Sequence, residues 1–170
     1  MEEKIIRLNL ACSDLPLKNW LNVDIRKEVN PDIVMDVRKL SDKFGKEVDE
    51  IYAGHFLEHL TPFEAEDFIE ECKKVLVNGG KLGIVTPDTD EIFRMYAKGE
   101  ITIKDLNDVY IFSYIQKLDT EPLHKSLWNL ESLTGLFKRH KFKNIKEIDR
   151  MLDPRVAYGI KWQCGVDGET

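Results

Sequence analysis

Cysteine is scarce and poorly placed for any framework role. Cys12, Cys72 and Cys164 are an odd number with no CxxC pair, which argues against both a disulfide scaffold and a structural zinc knuckle. A reducing compartment follows. Long apolar runs are lacking too: none approaches the ~20 residues of a membrane-spanning helix. The opening MEEKIIRLNL is interrupted by Arg7, where a signal peptide needs an unbroken apolar stretch. Both absences predict a cytoplasmic protein with no membrane partner. Positive charge is not in surplus, since 25 Lys and Arg stand against 31 Asp and Glu, giving a net charge of -6. That balance repels a phosphate backbone, despite a local basic run at Lys138, Arg139, His140, Lys141 and Lys143. Nucleic acid is therefore a poor candidate partner. Neither a GxGxxG turn nor a Walker loop occurs, so a polyphosphate would lack the glycine-rich cradle it needs.

What is present is an alternation of buried strands and helices. With 170 residues the chain fits one domain, 1–170, able to bury about two thirds of its unfolded surface. Apolar runs predict strands over 5–11, 21–25, 33–37, 50–54 and 81–86, and two more over 144–149 and 157–166. Thr61 with Glu64 forms a capping box, Pro62 takes the first helical position, and Phe68, Ile69, Cys72, Val75 and Leu76 make one stripe behind them. Asn78-Gly79-Gly80 is the expected stop of that helix. Other helices are expected over 38–44, 90–98 and 104–117, and from an Asn129 cap to about His140, with Leu130, Leu133 and Phe137 as its buried stripe. The 104–117 segment carries more apolar side chains than one face can bury, so part of it must line a pocket or meet a partner, a second copy of the chain included. Between the first two strands, Pro16 and the polar Lys18-Asn19 leave little room for a crossover helix.

This order predicts an α/β fold with a mostly parallel sheet, one antiparallel strand and a shortened first crossover helix. Ligands on such sheets bind at the carboxyl ends of the strands. The residues there are Ala11-Cys12-Ser13-Asp14, Asp24-Ile25, Asp36-Val37, His55-Phe56 and Pro87-Asp88. A carboxylate at the second strand's tip can accept two ribose hydroxyls; the plainer reading makes Asp24 and Asp36 strand-end turn formers.

Taken together, the segments LNLACS at 8–13, WLNVD at 20–24, PDIVMDV at 31–37, IYAGHFLEHL at 51–60 and VLVNGG through Pro87-Asp88 resemble the class I S-adenosylmethionine-dependent methyltransferases. The small type 11 predicted methyltransferases are the nearest likeness. The resemblance covers residues 5 to 90, and more loosely His124-Lys125 and 142–165. It implies a Rossmann-like methyltransferase sheet, S-adenosylmethionine as cofactor and methyl transfer to a small-molecule acceptor. Residue by residue, it implies that the backbone of Ala11, Cys12 and Ser13 holds the methionine part of the cofactor. Asp24 takes the ribose hydroxyls with Ile25 beside it, Asp36 and the Val37 amide meet the adenine, and His55 and Phe56 lie beside the sulfonium. Asn9 joins this set at the family's usual first-strand acid, and the family's three glycines fall at Ala11, Ser13 and Leu15, which gives up glycine's freedom at positive φ.

His55 and His124 are the candidate bases, because imidazole titrates near neutral pH; no metal is expected. His124 in a polar loop reads equally as a solvated side chain, and Glu58-His59 as a turn leading into Thr61. Two other functions compete. The altered glycine turn suits a degenerate methyltransferase-like module that binds cofactor or regulates a partner. His55-Phe56-Leu57-Glu58-His59 matches the H-x-x-E-H zinc peptidase pattern, but that chemistry needs both histidines on one helical face, and Thr61-Pro62 leaves space for a single turn.

Overall fold

The alternating pattern of the short strands decides which side of the sheet is dry. The computed structural model describes residues 5–107, 123–148 and 163–170. Its strands are β1 (Arg7–Leu10), β2 (Leu21–Asp24), β3 (Ile33–Val34), β4 (Val48–Gly54), β5 (Leu76–Pro87), β6 (Lys143–Glu147) and β7 (Gln163–Glu169), in one sheet ordered β3-β2-β1-β4-β5-β7-β6. β1 to β5 pair in parallel, and β7 runs antiparallel to both β5 and β6. This is the expected mostly parallel sheet with one antiparallel strand.

Register aligns Leu10 with Val23 and Ala53, Ala53 with Ile84, and Ile84 with Val166. All five side chains are fully buried, since residues paired across a sheet share a face. On that face lie α1 (Pro62–Val75) and α4 (Leu130–Arg139). Gly168 of β7 lets α4 settle, because a Cβ there would come within 2.8 Å of the Phe137 ring. α1 starts as its sequence dictates, with a complete Thr61–Glu64 capping box and Pro62 at its head; Phe68, Ile69, Cys72 and Val75 are buried. Asn129 caps α4 as expected, although its buried stripe is Leu133, Leu136 and Phe137, with Leu130 only partly covered. Asp88 caps α2 (Thr89–Ala97), and α3 is a short turn over Ile103–Asp105.

Several boundaries differ from the sequence reading, with β4 starting at Val48 and β7 reaching Glu169 among them; two have a clear local cause. β3 stops at Val34 because the Asp36 side chain accepts the Arg38 N–H and starts the 3-10 turn Val37–Asp42. α1 ends at Val75, earlier than its glycines suggest, and Leu76 already pairs with Val48. Asn78-Gly79-Gly80 is thus an irregularity inside β5, with Gly79 at φ 78. The segment 108–122, which holds most of the expected 104–117 helix, and the Asp153-Pro154 link lie outside the described residues. Among the described residues no helix is long and apolar enough to cross a membrane.

The connection between β1 and β2 contains no helix. Buried side-chain amides replace one. Asn22 Oδ1 accepts from Asn9 Nδ2 at 2.9 Å and from the Leu17 N–H at 2.7 Å. Its Nδ2 donates to the carbonyls of Leu17 and Trp20 and to Asp32 Oδ2 at 2.9 Å. Asn9 Nδ2 also holds the Leu15 carbonyl. Backbone groups that a helix would satisfy internally are thereby paired one at a time.

Asn22→Leu keeps the volume but strands the Leu17 N–H and leaves the Asn9 Nδ2 with only the Leu15 carbonyl, and should cost about 3 kcal/mol in urea unfolding, on roughly 1 kcal/mol per lost bond plus the unpaired groups. Asp32→Ala should cost about 1–2 kcal/mol. A loss below about 1 kcal/mol for Asn22→Leu would mean that apolar contacts hold this loop.

Candidate functional site

The carboxyl ends of β1, β2 and β4, with the residues following β3, converge on a cavity of about 240 Å³. Ala11, Asp24, Ile25, Asp36, Val37 and Phe56 line it, with Arg38, His59, Leu60 and Lys125. Six of the residues expected to bind cofactor therefore meet at one place. A larger cavity, about 350 Å³, lies against the middle of the sheet between Trp20, Tyr52, Gly83 and Asp167. It is away from the strand ends where ligands of such sheets bind.

The turn after β1 reaches its shape under strain. Ala11 and Ser13 sit at φ 49 and φ 50, and His55 at the end of β4 at φ 54. Left-handed backbone costs a residue other than glycine roughly 1–2 kcal/mol, and such strain gathers where a surrounding structure needs it. Here it aims the Ser13 N–H at Asp24 Oδ2, 2.9 Å away.

Asp24 is buried and crowded with donors. Besides Ser13 it accepts the Arg26 N–H at 2.9 Å and the Arg26 guanidinium at 3.2 Å. Burial is the strongest influence on its carboxyl and pushes the pKa up, but the hydrogen bonds from Arg26 and Ser13 and the Arg26 charge hold it below the usual range. Asp36 repeats the arrangement with Arg38, whose guanidinium donates at 3.0 and 2.8 Å. The Arg38 hydrogen bond leads in lowering that carboxyl, against some burial. Sequence reasoning missed both arginines, although each stands two residues after its acid, as Asp24-Ile25-Arg26 and Asp36-Val37-Arg38.

Other expected site residues are placed elsewhere. Asn9 is fully buried in the loop network, and an acid there would face the Leu15 carbonyl and Asn22 Oδ1 without a proton to offer. The Cys12 side chain is buried, and its N–H is taken by the Val23 carbonyl at 3.2 Å. Ser13 touches Asp24 and does not line the cavity. His55 is not among the residues lining the cavity, and its Nδ1 lies 3.2 Å from Glu58 Oε1 and its Nε2 3.0 Å from Gln163 Oε1. Phe56 packs edge-on against Phe68 at 5.1 Å.

His124 stands against His59, ring centres 5.0 Å apart, and both lie near the buried Glu58. Burial acts most strongly on Glu58 and upward, yet the hydrogen bond from His55 and the three imidazoles of His55, His59 and His124 bring its pKa below the usual value. The peptidase arrangement does not form: Leu57–His59 is one 3-10 turn, and His55 and His59 share no helical face.

No protein-family model matches the chain, and no curated protein matches it. Solved structures do. A SAM-dependent methyltransferase from Methanosarcina mazei aligns over 100% of this chain and 94% of its own, at 16% identity and TM-score 0.67. One from Archaeoglobus fulgidus aligns over 99% and 87%, at 16% identity and TM-score 0.66. A Haemonchus contortus phosphoethanolamine N-methyltransferase, in complex with phosphomonomethylethanolamine and S-adenosylhomocysteine, aligns over 100% of this chain but 49% of its own, at 12% identity and TM-score 0.55. At these identities the likeness is one of fold: the chain has the Rossmann-like fold of the class I methyltransferases.

Two outcomes follow from this geometry. Ala11→Gly relieves about 1–2 kcal/mol of left-handed strain against about 0.5–1 kcal/mol of added unfolded-state freedom. It should raise the melting temperature slightly, and a lower one would show Ala11 unstrained. Asp24, Asp32 and Asp36 have folded pKa values below the usual one, so their stabilisation is complete above the unfolded value of about 3.9 and is lost as pH falls through the folded values. Asp24→Asn, which cannot titrate, should flatten the stability loss between about pH 4 and 2. Equal slopes in acid titrations would contradict the lowered value.

Proposed function

We propose that the protein transfers a methyl group from S-adenosylmethionine to a small-molecule acceptor. The observation that carries this reading is the pair of carboxylates, Asp24 and Asp36, lining one cavity with Ala11 and Phe56 at the strand tips of a methyltransferase-type sheet. Asp24 accepts the ribose hydroxyls in place of the Arg26 guanidinium, and Asp36 with the Val37 amide meets the adenine. Ile25, 62% exposed at the rim, supplies an apolar contact. The cavity is smaller than the roughly 300–1,000 Å³ of ligand pockets, so the half-exposed side chains of Arg38 and Lys125 move aside on binding.

The sulfonium carries the driving force when the cofactor is bound. The protein's task is to align the acceptor with it and, where the acceptor loses a proton, to take that proton. His55 and His124 are the proposed bases; both ring nitrogens of His55 face acceptor oxygens, Glu58 Oε1 and Gln163 Oε1, so His55 acts only once it leaves Gln163 and gives up the Nε2 proton. The alternative, a cofactor-binding module without turnover, is favoured by one observation: Ser13 and Arg26 already hold both Asp24 oxygens.

Calorimetric titration with S-adenosylhomocysteine tests the reading. Hydrogen bonds to a charged acceptor are worth roughly 1.5–3 kcal/mol, so Asp24→Ala should bind at least ~10-fold more weakly than wild type. Asp24→Asn should lose less, because its amide oxygen still accepts. No binding by wild type removes the proposal, and equal affinity in all three proteins removes Asp24 from the site.

A further inference from the structure

We propose that Glu58, His59 and His124 form a binding site for a divalent transition-metal ion of the zinc class, in the wall of the cavity described above. The site stands whether or not the protein transfers methyl groups. One ligand atom from each residue lies within 4.8 Å of the other two. A cation at their centre is then at most about 2.8 Å from each, and inward shifts of about 0.7 Å reach the 2.0–2.1 Å of a zinc–nitrogen bond.

A second observation points to a ligand. His59 Nδ1 is shielded from solvent and has no hydrogen-bond partner among the described residues. An unpaired polar atom in such a place is costly, and an imidazole nitrogen in its neutral form is a metal ligand. Its neighbour Glu58 is a buried carboxylate that meets His55 at Oε1 and the Thr86 hydroxyl at Oε2, both 3.2 Å away. Those partners suit an outer sphere that orients a ligating carboxylate.

The chain also fixes the third ligand. Glu58's own carbonyl accepts the N–H groups of Lys125 at 2.7 Å and Ser126 at 3.2 Å, and Ser126 Oγ donates to the Leu57 carbonyl. Trp128 Nε1 braces Ser126 Oγ at 2.7 Å. These bonds clamp the segment bearing His124 onto the turn bearing Glu58 and His59, so ligands far apart in sequence keep their spacing.

The donor set selects the ion. Two imidazoles and one carboxylate fit zinc with an open fourth position, whereas magnesium and calcium want oxygen throughout. His59 lines the cavity, which gives that open position an oxygen ligand, water or a hydroxyl of a bound molecule. Glu58 and His124 are ligands in this arrangement and His55 an outer-sphere partner, so the peptidase roles do not apply, and the proton-accepting role proposed for His124 belongs to the metal-free protein.

The test uses the full chain, purified without a histidine tag and stripped with chelator. Zinc titration by calorimetry, with the visible spectrum of cobalt as a geometric probe, should give one ion per chain. His59→Ala and His124→Ala should each weaken zinc binding by at least about 100-fold, and His55→Ala by about 10–100-fold at unchanged stoichiometry. His140→Asn should bind as wild type, since His140 is engaged by Glu66 and Glu70. Saturating zinc should raise the melting temperature of wild type and not of His124→Ala, which also shows that variant folded. No binding by wild type at millimolar zinc overturns the proposal. So does equal affinity in wild type, His59→Ala and His124→Ala, the result expected if the cluster is only a hydrogen-bonded His–Glu–His network.

Discussion

Two parallel strands joined without a crossover helix leave a connection whose backbone polar groups have no internal partners, and Asn22 is where this chain meets that constraint. Its amide takes five contacts within hydrogen-bonding distance, from Asn9, Leu17, Trp20 and Asp32. With Asn9 also holding the Leu15 carbonyl, the loop is fixed at several points between β1 and β2. Its near end then has little choice of path. Cys12 bonds to Val23, and the turn passes through two left-handed residues to deliver the Ser13 amide to Asp24. The strained turn and the buried acid are held by a network that lies outside the cavity.

This dependence explains what was legible in the sequence. Features decided within one turn of chain were readable: the Thr61 and Asn129 caps, Pro62 at a helix start, and the missing crossover helix implied by Pro16. The acids at the strand tips were readable because position along a strand fixes which residue reaches its end. Boundaries set by competing local bonds were not. Asp36 could end β3 only by folding back on the Arg38 N–H, and the glycines after α1 serve a strand irregularity because Leu76 had already found Val48. Asn9 shows the limit of analogy: a position associated with the cofactor is bound into the loop network instead. Nor does any periodicity bring His124 to His59, since the clamp that does so runs through backbone bonds between distant segments.

The twin Asp-x-Arg units carry an electrostatic consequence. Each arginine compensates the carboxylate two residues before it and helps keep it ionised, Asp24 buried and Asp36 partly so. The same guanidinium occupies lone pairs that a ligand hydroxyl would use. Binding at either acid is therefore an exchange: ligand bonds form as arginine bonds are released to water, and only the difference counts toward affinity. Asp36 is the easier exchange, because the Arg38 side chain is 48% exposed and that of Arg26 is 22% exposed.

His59 belongs to both regions, lining the cavity on one side and meeting His124 on the other. Any ligand that changes its ring position must therefore change the free energy of whatever binds at Glu58 and His124. Thermodynamic linkage makes the effect reciprocal. The sign depends on geometry: a molecule that donates an oxygen to an ion held by these residues strengthens both occupancies, whereas one that pushes the His59 ring toward His124 crowds the space an ion needs. The short turn Leu57–His59 is clamped through the Leu57 and Glu58 carbonyls, which limits how far its backbone can shift with the ring. On the metal-site proposal, the cavity and the His–Glu cluster are linked through His59, the residue they share.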